Sequence, residues 1–273
     1  MTKCHPFVAV LLLLLLASCK SGDSGPSLAD YAARSKSVKM ARFEQVAQSL
    51  SKASPELARQ MQDSLLDAAS GDSAAWRQLL NMEENFFLDP NSPWRDEELY
   101  LPVAEQILCS PYSDTTERDH AAWLLERLTL NRPGTPAADF NFTTPKGRPT
   151  SLYTEIDARH PELTLLFFSN PGCPNCKEIT EALERDLYIQ KQLYEGTLLV
   201  VCIYPDEDLQ GWLDYLPNYP EEWLCGCDPD QVLNSETRYW LRAIPSLYLL
   251  DEEKRVILKD APLERIVSVL LTR

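Results

Sequence analysis

Two cysteines separated by two residues, Cys173 and Cys176, have the types and spacing best suited to chemistry in this sequence. They follow Leu163 to Phe168, an apolar run typical of a strand buried on both faces, and they open a helical pattern that begins at Pro174. The positive end of a helix dipole stabilises a thiolate at the first cysteine. One helical turn brings the second sulfur within disulfide reach, so the pair predicts thiol–disulfide exchange.

Other readings of these cysteines stay open. The pair is compatible with a structural disulfide, which is common in exported proteins. Together with Cys225 and Cys227, the pair offers four thiolates for zinc. Zinc-binding cysteines are usually separated by two to four residues, however, and Gly226 alone separates Cys225 from Cys227. We therefore predict no metal. Cys225 and Cys227 are either incidental thiols in a loop, which we favour, or a second dithiol that exchanges with the first pair.

The elements that must position these residues differ between the two halves of the chain. From about residue 28 to 132, apolar residues recur at three- and four-residue spacing, which predicts an all-helical domain. After a hinge rich in proline and glycine, residues 133–273 alternate buried strands with helices, which predicts an α/β layer fold with a mostly parallel sheet and a terminal hairpin. Helices are expected over Pro174 to about Leu193 and over Val232 to Leu241.

The first 18 residues have the pattern of a signal peptide. Lys3 precedes an apolar run that includes six leucines, Leu11 to Leu16, and the run is too short for an ordinary membrane span. The sequence Leu16-Ala17-Ser18-Cys19 resembles the lipobox of bacterial lipoproteins, which implies a lipid on Cys19 and a flexible tether over residues 19–27. We therefore expect an envelope protein, anchored to the inner or outer membrane and facing the periplasm or the cell exterior.

Composition narrows the function classes. Among the 273 residues, 41 Asp and Glu outweigh 26 Lys and Arg, giving a formal net charge of −15. Nucleic-acid binding needs a clustered basic surface, and none appears in the sequence.

His120 lies in the helical half and His160 before the buried strand, so neither is placed as a base for a Cys–His hydrolase. No peroxidatic Pro-x-x-x-Thr-x-x-Cys pattern precedes Cys173, which disfavours a thiol peroxidase.

The motif FFSNPGCPNCKEI (residues 167–179) together with AIPSLYLLD (residues 243–251) resembles the thioredoxin superfamily. More narrowly, the hairpin-like FNFTTPKGRPTSL (residues 140–152) is similar to the membrane-anchored TlpA-like branch. The resemblance covers about residues 135–273 and implies a central mixed sheet flanked by helices. The helical half is similar to an uncharacterised domain that precedes thioredoxin-like domains in lipoproteins of the Bacteroides group.

The resemblance assigns roles to four residues. It implies that Cys173 attacks, that Cys176 resolves, and that Pro245 is a cis-proline which, with Ile244, offers backbone groups to a substrate chain. Its implied partners are protein thiols or disulfides and an upstream electron-donor dithiol protein, so no diffusible cofactor is expected.

Three departures from the family pattern leave the direction of the reaction open. Gly172 stands where thioredoxins have tryptophan, and Phe167 stands where they have a buried acid. Asn175 departs from the family within the dipeptide between the two cysteines, which helps to set the reduction potential. Glu178 is the nearest candidate proton acceptor. The hypothesis is an envelope-anchored thiol–disulfide oxidoreductase, and the alternative is a binding or assembly lipoprotein that uses the fold as a scaffold.

Overall fold

The computed structural model describes residues 36–272, so the predicted signal peptide and lipidated Cys19 lie outside the described residues. The chain divides into two compact units, Met1–Met82 and Glu83–Arg273. This division lies inside the helical domain predicted over residues 28–132, and the bounds drawn from the sequence stay a prediction. Within the described residues no helix is both long enough and apolar enough to cross a membrane.

The described part of the first unit is built from three helices: α1 (Lys36–Lys52), α2 (Pro55–Ala69) and α3 (Ser73–Glu83), whose last residue begins the second unit. Helix α2 starts where Ser54 accepts a hydrogen bond from the Leu57 amide and Pro55 occupies the first turn. Each helix buries an apolar stripe at three- and four-residue spacing, as the sequence pattern predicts. The buried residues include Phe43, Ala47 and Leu50 of α1, Ala58 and Leu66 of α2, and Trp76 and Leu79 of α3.

The second unit begins with a π-helical turn (Glu84–Leu88) and two helices, α4 (Glu97–Cys109) and α5 (Thr115–Leu128). Asp96 caps α4, and Asp114 and Glu117 form a reciprocal capping box at α5. The α/β part follows. In chain order it contains β1 (Asn141–Thr143), β2 (Pro149–Ser151), α6 (Leu152–Arg159), β3 (Leu163–Phe168), α7 (Pro174–Arg185), α8 (Leu187–Glu195), β4 (Leu198–Tyr204), α9 (Leu209–Tyr215), β5 (Leu224–Cys227), α10 (Val232–Ser235), β6 (Ser246–Asp251), β7 (Val256–Leu258) and α11 (Leu263–Leu270).

The strands form one sheet in the order β2-β1-β5-β4-β3-β6-β7. Strands β3 and β4 are buried along their whole length, because apolar side chains alternate between two cores, one on each face. The sheet is mixed: β3/β4 and β4/β5 pair in parallel and the other described pairings are antiparallel. The expectation of a mostly parallel sheet is therefore wrong, because both edges are closed by hairpins.

Local details also differ from the sequence-based expectations. The helix expected from Pro174 to about Leu193 is two helices, because Asp186 ends α7 and caps α8. The helix expected from Val232 to Leu241 ends at Ser235, and Thr237 then adopts a left-handed backbone with φ of 51°. Cys225 and Cys227 lie in strand β5 and not in a loop.

A buried carboxylate fixes the first hairpin to α6. Glu155 is 3% exposed and accepts hydrogen bonds from Thr150 and Arg148, both at 2.6 Å, and from Arg159 at 2.5 Å. Burial alone would raise the pKa of Glu155, but these three donors favour the ionised form and lower that pKa to about 2. The carboxylate therefore stabilises the fold only while it is ionised.

Candidate active site at the Cys173–Cys176 pair

The two cysteines lie at the carboxyl end of β3, where the chain turns into α7. Cys173 is the N-cap residue of α7, and its sulfur accepts a hydrogen bond from the backbone N–H of Cys176 at 3.2 Å. Gly172 has φ of 73°, a left-handed conformation that would be strained in a residue with a side chain. This conformation gives a physical reason for glycine, and not tryptophan, directly before Cys173.

The sheet register brings the Pro245 loop to the same place. Strands β3 and β6 are antiparallel with Phe168 opposite Ser246, so the residue before β6 lies beside the chain that leaves β3. The Ile244–Pro245 peptide bond is cis, as the resemblance implies. The Cys173 thiol donates a long hydrogen bond to the carbonyl oxygen of Ile244, with 4.0 Å between sulfur and oxygen. The structure therefore brings together Cys173, Cys176, Ile244 and Pro245, which are far apart in the sequence.

The two sulfurs differ in exposure. Cys173 is half-buried, whereas Cys176 is 2% exposed, and both are free thiols. Burial, together with a hydrogen bond to Cys173, raises the pKa of Cys176 to about 12, while the Asn170 backbone and the Ser169 hydroxyl act in the opposite direction. An accessible first sulfur and an enclosed second sulfur suit attack followed by resolution, in which Cys176 must first lose its proton.

Sequence reasoning missed a pair of hydroxyl groups beside Cys176. Ser169 is fully buried, and its hydroxyl lies 2.8 Å from the phenol oxygen of Tyr219. Tyr219 in turn favours the ionised form of Cys202 on β4 and so acts against the burial that raises the pKa of this thiol. Burial raises the pKa of Tyr219 well above its ordinary range, so the phenol stays neutral and can only pass a proton on. No sequence motif marks these residues, because only the fold brings position 219 to the end of β3.

Three further cysteines, Cys202, Cys225 and Cys227, lie on the same face of the sheet. Cys225 lies directly opposite Cys202 on the adjacent parallel strand, and it acts with burial to raise the pKa of the Cys202 thiol. Cys227 is separate from them, because its thiol donates to the carbonyl oxygen of Thr143 at 3.6 Å. Burial raises the pKa of Cys227 to about 11, and the nearby Asp228 charge adds to this effect. The structure thus pairs Cys225 with Cys202, whereas the sequence suggested Cys227.

A buried ionic cluster lies behind the Pro245 loop and is defined here as Arg95, Glu97, Arg242, Lys259 and Asp260. Arg242 contacts the Asp260 carboxylate at 2.6 Å and the Glu97 carboxylate at 3.2 Å, and Lys259 contacts Glu97 at 2.6 Å. Arg242 and Lys259 meet Glu97 at ion-pair distance, but neither Glu97 oxygen is in hydrogen-bond geometry with them. Arg95 donates to the Asp260 carbonyl at 2.9 Å. The cluster explains why α4 belongs to the same compact unit as the α/β part.

The cluster holds both ends of the loop that carries Pro245. Arg242 lies three residues before Pro245, and Ser246 directly after it donates a hydrogen bond to Asp260 at 2.8 Å. By contrast, the Glu178 side chain is exposed on α7. Among residues 36–272, no group of three or more histidine, cysteine or carboxylate side chains is arranged to hold a metal ion.

Comparison with known proteins gives a full-length match. The crystal structure of a thioredoxin-like protein from Bacteroides caccae superposes with a TM-score of 0.83 at 30% identity, covering 100% of this chain and 95% of that one. The chain belongs to the thioredoxin superfamily. The resemblance stated from the Cys-Pro-Asn-Cys and Ile-Pro-Ser motifs is confirmed at this level.

Other matches cover parts of the chain. Residues 31–131 match a domain family of unknown function, DUF5106. The C-terminal domain of an uncharacterised protein from Bacteroides fragilis is similar at 40% identity, covering 52% of this chain and 98% of that domain, with a TM-score of 0.48. A thiol-disulfide oxidoreductase from Bacteroides fragilis is 20% identical over 50% of this chain and 98% of its own, with a TM-score of 0.44. Among the curated proteins, none matches the chain.

Proposed function

We propose that this thioredoxin-family protein is a thiol–disulfide oxidoreductase whose reacting pair is Cys173 and Cys176. The observation that carries the proposal is the placement of a half-buried sulfur at the start of α7, in contact with the Ile244 carbonyl before cis-Pro245. A substrate sulfur that bonds to Cys173 would lie beside that loop. The Ile244 carbonyl is there to accept a hydrogen bond from the backbone of the substrate chain.

The chemistry follows from the two environments. The Cys173 thiolate attacks a protein disulfide, one substrate sulfur leaves with the electron pair, and a mixed disulfide forms. Cys176 then loses its proton and attacks Cys173, which releases the second substrate sulfur and leaves a Cys173–Cys176 disulfide. An upstream dithiol protein reverses this step and restores the two thiols. In the reverse direction, the same reaction steps oxidise a substrate dithiol.

A scaffold protein without redox activity is the second candidate. One observation favours it: burial keeps the Cys176 thiol protonated, and no carboxylate is among the groups found to act on its ionisation. A matched pair of variants separates the two functions. In an oxidoreductase, Cys176→Ser accumulates mixed disulfides with protein substrates and Cys173→Ser accumulates none. In a scaffold, neither variant forms them and Cys173→Ser keeps the wild-type phenotype.

The reduction potential tests the reaction and its direction. We would titrate the protein against glutathione and dithiothreitol buffers, using Cys225→Ser/Cys227→Ser as the control that isolates the Cys173–Cys176 pair. A two-electron step near ~−270 mV indicates a reductase, and one near ~−120 mV indicates an oxidant. A pair that stays oxidised well below ~−300 mV is structural, and that result would refute the proposal.

We also propose that the protein acts in the bacterial envelope, held to a membrane by lipid on Cys19. The lipobox-like Leu16-Ala17-Ser18-Cys19 supports this, and the envelope is a compartment in which disulfides persist. Two acyl chains on one cysteine give stable anchoring, whereas one chain binds only marginally. We expect Cys19→Ala to abolish fatty-acid labelling and to move the protein out of the membrane fraction. Labelling that persists in this variant would contradict the proposal.

A further inference from the structure

Two more sulfurs are enclosed on the sheet face that packs against α7. Cys202 on β4 and Cys225 on β5 belong to the same apolar core as Cys176, and all three are buried. Side chains on a strand alternate between the two faces of the sheet, and Leu199, Val201 and Ile203 of β4 belong to the opposite core. The face towards α7 therefore carries a sulfur pair that the reaction proposed above does not use.

The geometry of Cys202 and Cys225 suits a disulfide bond. They are directly opposite in the parallel register of β4 and β5. Neighbouring strands lie about 4.7–4.9 Å apart, and a disulfide needs a Cα separation of about 4.4–6.8 Å. Burial and the neighbouring Cys225 thiol both raise the pKa of Cys202. Cys227 is two residues further along the same face of β5, but it lies opposite Tyr204 and contacts the Thr143 carbonyl instead.

Hydroxyl groups lie near both sulfur pairs. The inner pair is Cys202 and Cys225, and the outer pair is Cys173 and Cys176. The Ser169 hydroxyl acts to lower the pKa of Cys176 and lies 2.8 Å from the Tyr219 phenol oxygen. The Tyr219 hydroxyl in turn acts to lower the pKa of Cys202. Cys176 and Cys202 are close enough for the charge of one to affect the ionisation of the other. A hydrogen-bonded pair of hydroxyl groups, Ser169 and Tyr219, thus lies within an otherwise apolar core and affects the ionisation of both Cys176 and Cys202.

We propose that Cys202 and Cys225 form a second, internal redox pair that exchanges a disulfide with Cys173 and Cys176. This inference rests on the proposed function, because the outer disulfide is the oxidant of the inner pair. Buried at the centre of the sheet, the inner sulfurs are enclosed from solvent, and Cys176 is the route by which they exchange electrons with other proteins.

The exchange balances in two steps. Cys202 loses a proton and attacks the Cys176 sulfur of the outer disulfide, so the Cys173–Cys176 bond breaks and Cys173 leaves with the electron pair. Cys225 then loses its proton and attacks Cys202, which forms the Cys202–Cys225 bond and releases Cys176. The inner pair loses two electrons and two protons, and the outer pair gains them. The Ser169 hydroxyl, near Cys176, and the Tyr219 hydroxyl, near Cys202, can relay the protons from the inner pair to the outer pair.

The consequence is a store of electrons within one chain. A fully reduced chain would reduce one substrate disulfide through its outer pair, recover two electrons from the inner pair, and reduce a second substrate disulfide. Without the inner pair, it would reduce one and stop until its electron donor arrives.

The experiment is a disulfide map of the full chain at successive times during its oxidation. The fully reduced protein, freed of reductant, is mixed with excess oxidised glutathione, quenched with acid at intervals, alkylated and analysed by peptide mass spectrometry. We expect the Cys173–Cys176 link to form first and the Cys202–Cys225 link to follow. In Cys176→Ser and Cys176→Ala, the inner link should form at least ten-fold more slowly. Cys227→Ser, with a thiol on the same strand face, should behave like the wild type.

Each outcome decides between the proposals. If the outer link forms and the inner link does not, Cys202 and Cys225 are only core residues and the inference fails while the proposed function stands. If the inner link forms equally fast in both Cys176 variants, it does not receive its oxidation from the outer pair, and the inference also fails. If neither link forms, the proposed function itself is wrong.

Discussion

The buried ionic cluster behind the Pro245 loop predicts that Glu97→Gln destabilises the protein strongly. The cluster contains three cations and two anions, and the Glu97 and Lys259 side chains are each 2% exposed. The substitution keeps the size of the side chain but removes its charge. Arg242 then keeps Asp260 as a partner, whereas Lys259 keeps only backbone carbonyl groups, among them Leu128 at 2.9 Å.

The magnitude follows from the burial of the unpaired cation. Breaking a buried ion pair by removing one partner costs about 3–5 kcal/mol, because the other charge remains in a medium of low dielectric. Burial raises the pKa of Glu97, while Lys259 and Arg242 act against that shift. We expect Glu97 to be ionised at pH 7, since two cations lie within 3.2 Å of its oxygens. The expected loss in the free energy of unfolding is therefore about 3–5 kcal/mol.

The assay is urea denaturation at pH 7, comparing the midpoint and slope of each variant with the wild type. The matched control is Glu181→Gln, which removes an exposed carboxylate paired with Arg185 at 2.6 Å and should cost about 0–1 kcal/mol. In the double variant Glu97→Gln/Lys259→Met, both charges are absent, so we expect most of the lost stability to return. A Glu97→Gln protein within about 1 kcal/mol of the wild type would refute the reasoning and show that burial keeps Glu97 protonated.

Three further predictions concern the hairpin, the sheet and the hydroxyl pair. The folded-state pKa of Glu155 is below its unfolded value, so its contribution to stability is present above about pH 4.5 and is lost as the pH falls towards 2. Over this range, the free energy of unfolding of the wild type should drop by about 2 kcal/mol more than that of Glu155→Gln. Gly226→Ala should cost about 1–3 kcal/mol, measured by thermal or urea denaturation, because a Cβ there would overlap the buried ring of Phe142. Tyr219→Phe should slow resolution of the mixed disulfide about five-fold, the equivalent of one hydrogen bond of about 1 kcal/mol, in stopped-flow measurements across pH.

Each of these predictions has a matched control and a result that would count against it. Equal acid sensitivity of the wild type and Glu155→Gln would contradict the first. Gly71→Ala, where no atom lies within 4 Å of the added Cβ, should leave stability unchanged, and an equal loss at both glycines would contradict the second. Tyr215→Phe keeps the aromatic contact with Tyr219 at 5.4 Å between ring centroids, so an equal slowing in that variant would contradict the third.

The sequence alone was sufficient to predict the strand and the helix that flank the Cys173–Cys176 pair. The apolar run of β3 and the helical pattern after Pro174 are local signals, because a continuous apolar run and a helix start are both formed by residues near in sequence. The fold class and the relation to the thioredoxin superfamily followed from the same short motifs and are confirmed. The bounds of the domains, the lipid on Cys19 and the roles of the site residues stay predictions.

The tertiary structure decided what lies around that pair, because those contacts join residues remote in the sequence. Strand β5 is short and contains glycine, so its pattern did not indicate a strand, and without it Cys225 had no visible partner in Cys202. Likewise, charged residues at positions 97, 242 and 259 look like surface residues in a sequence, and only their packing pairs them in the interior. Strand register and charge pairing are properties of the assembled sheet, and this is the physical reason that a linear pattern could not reveal them.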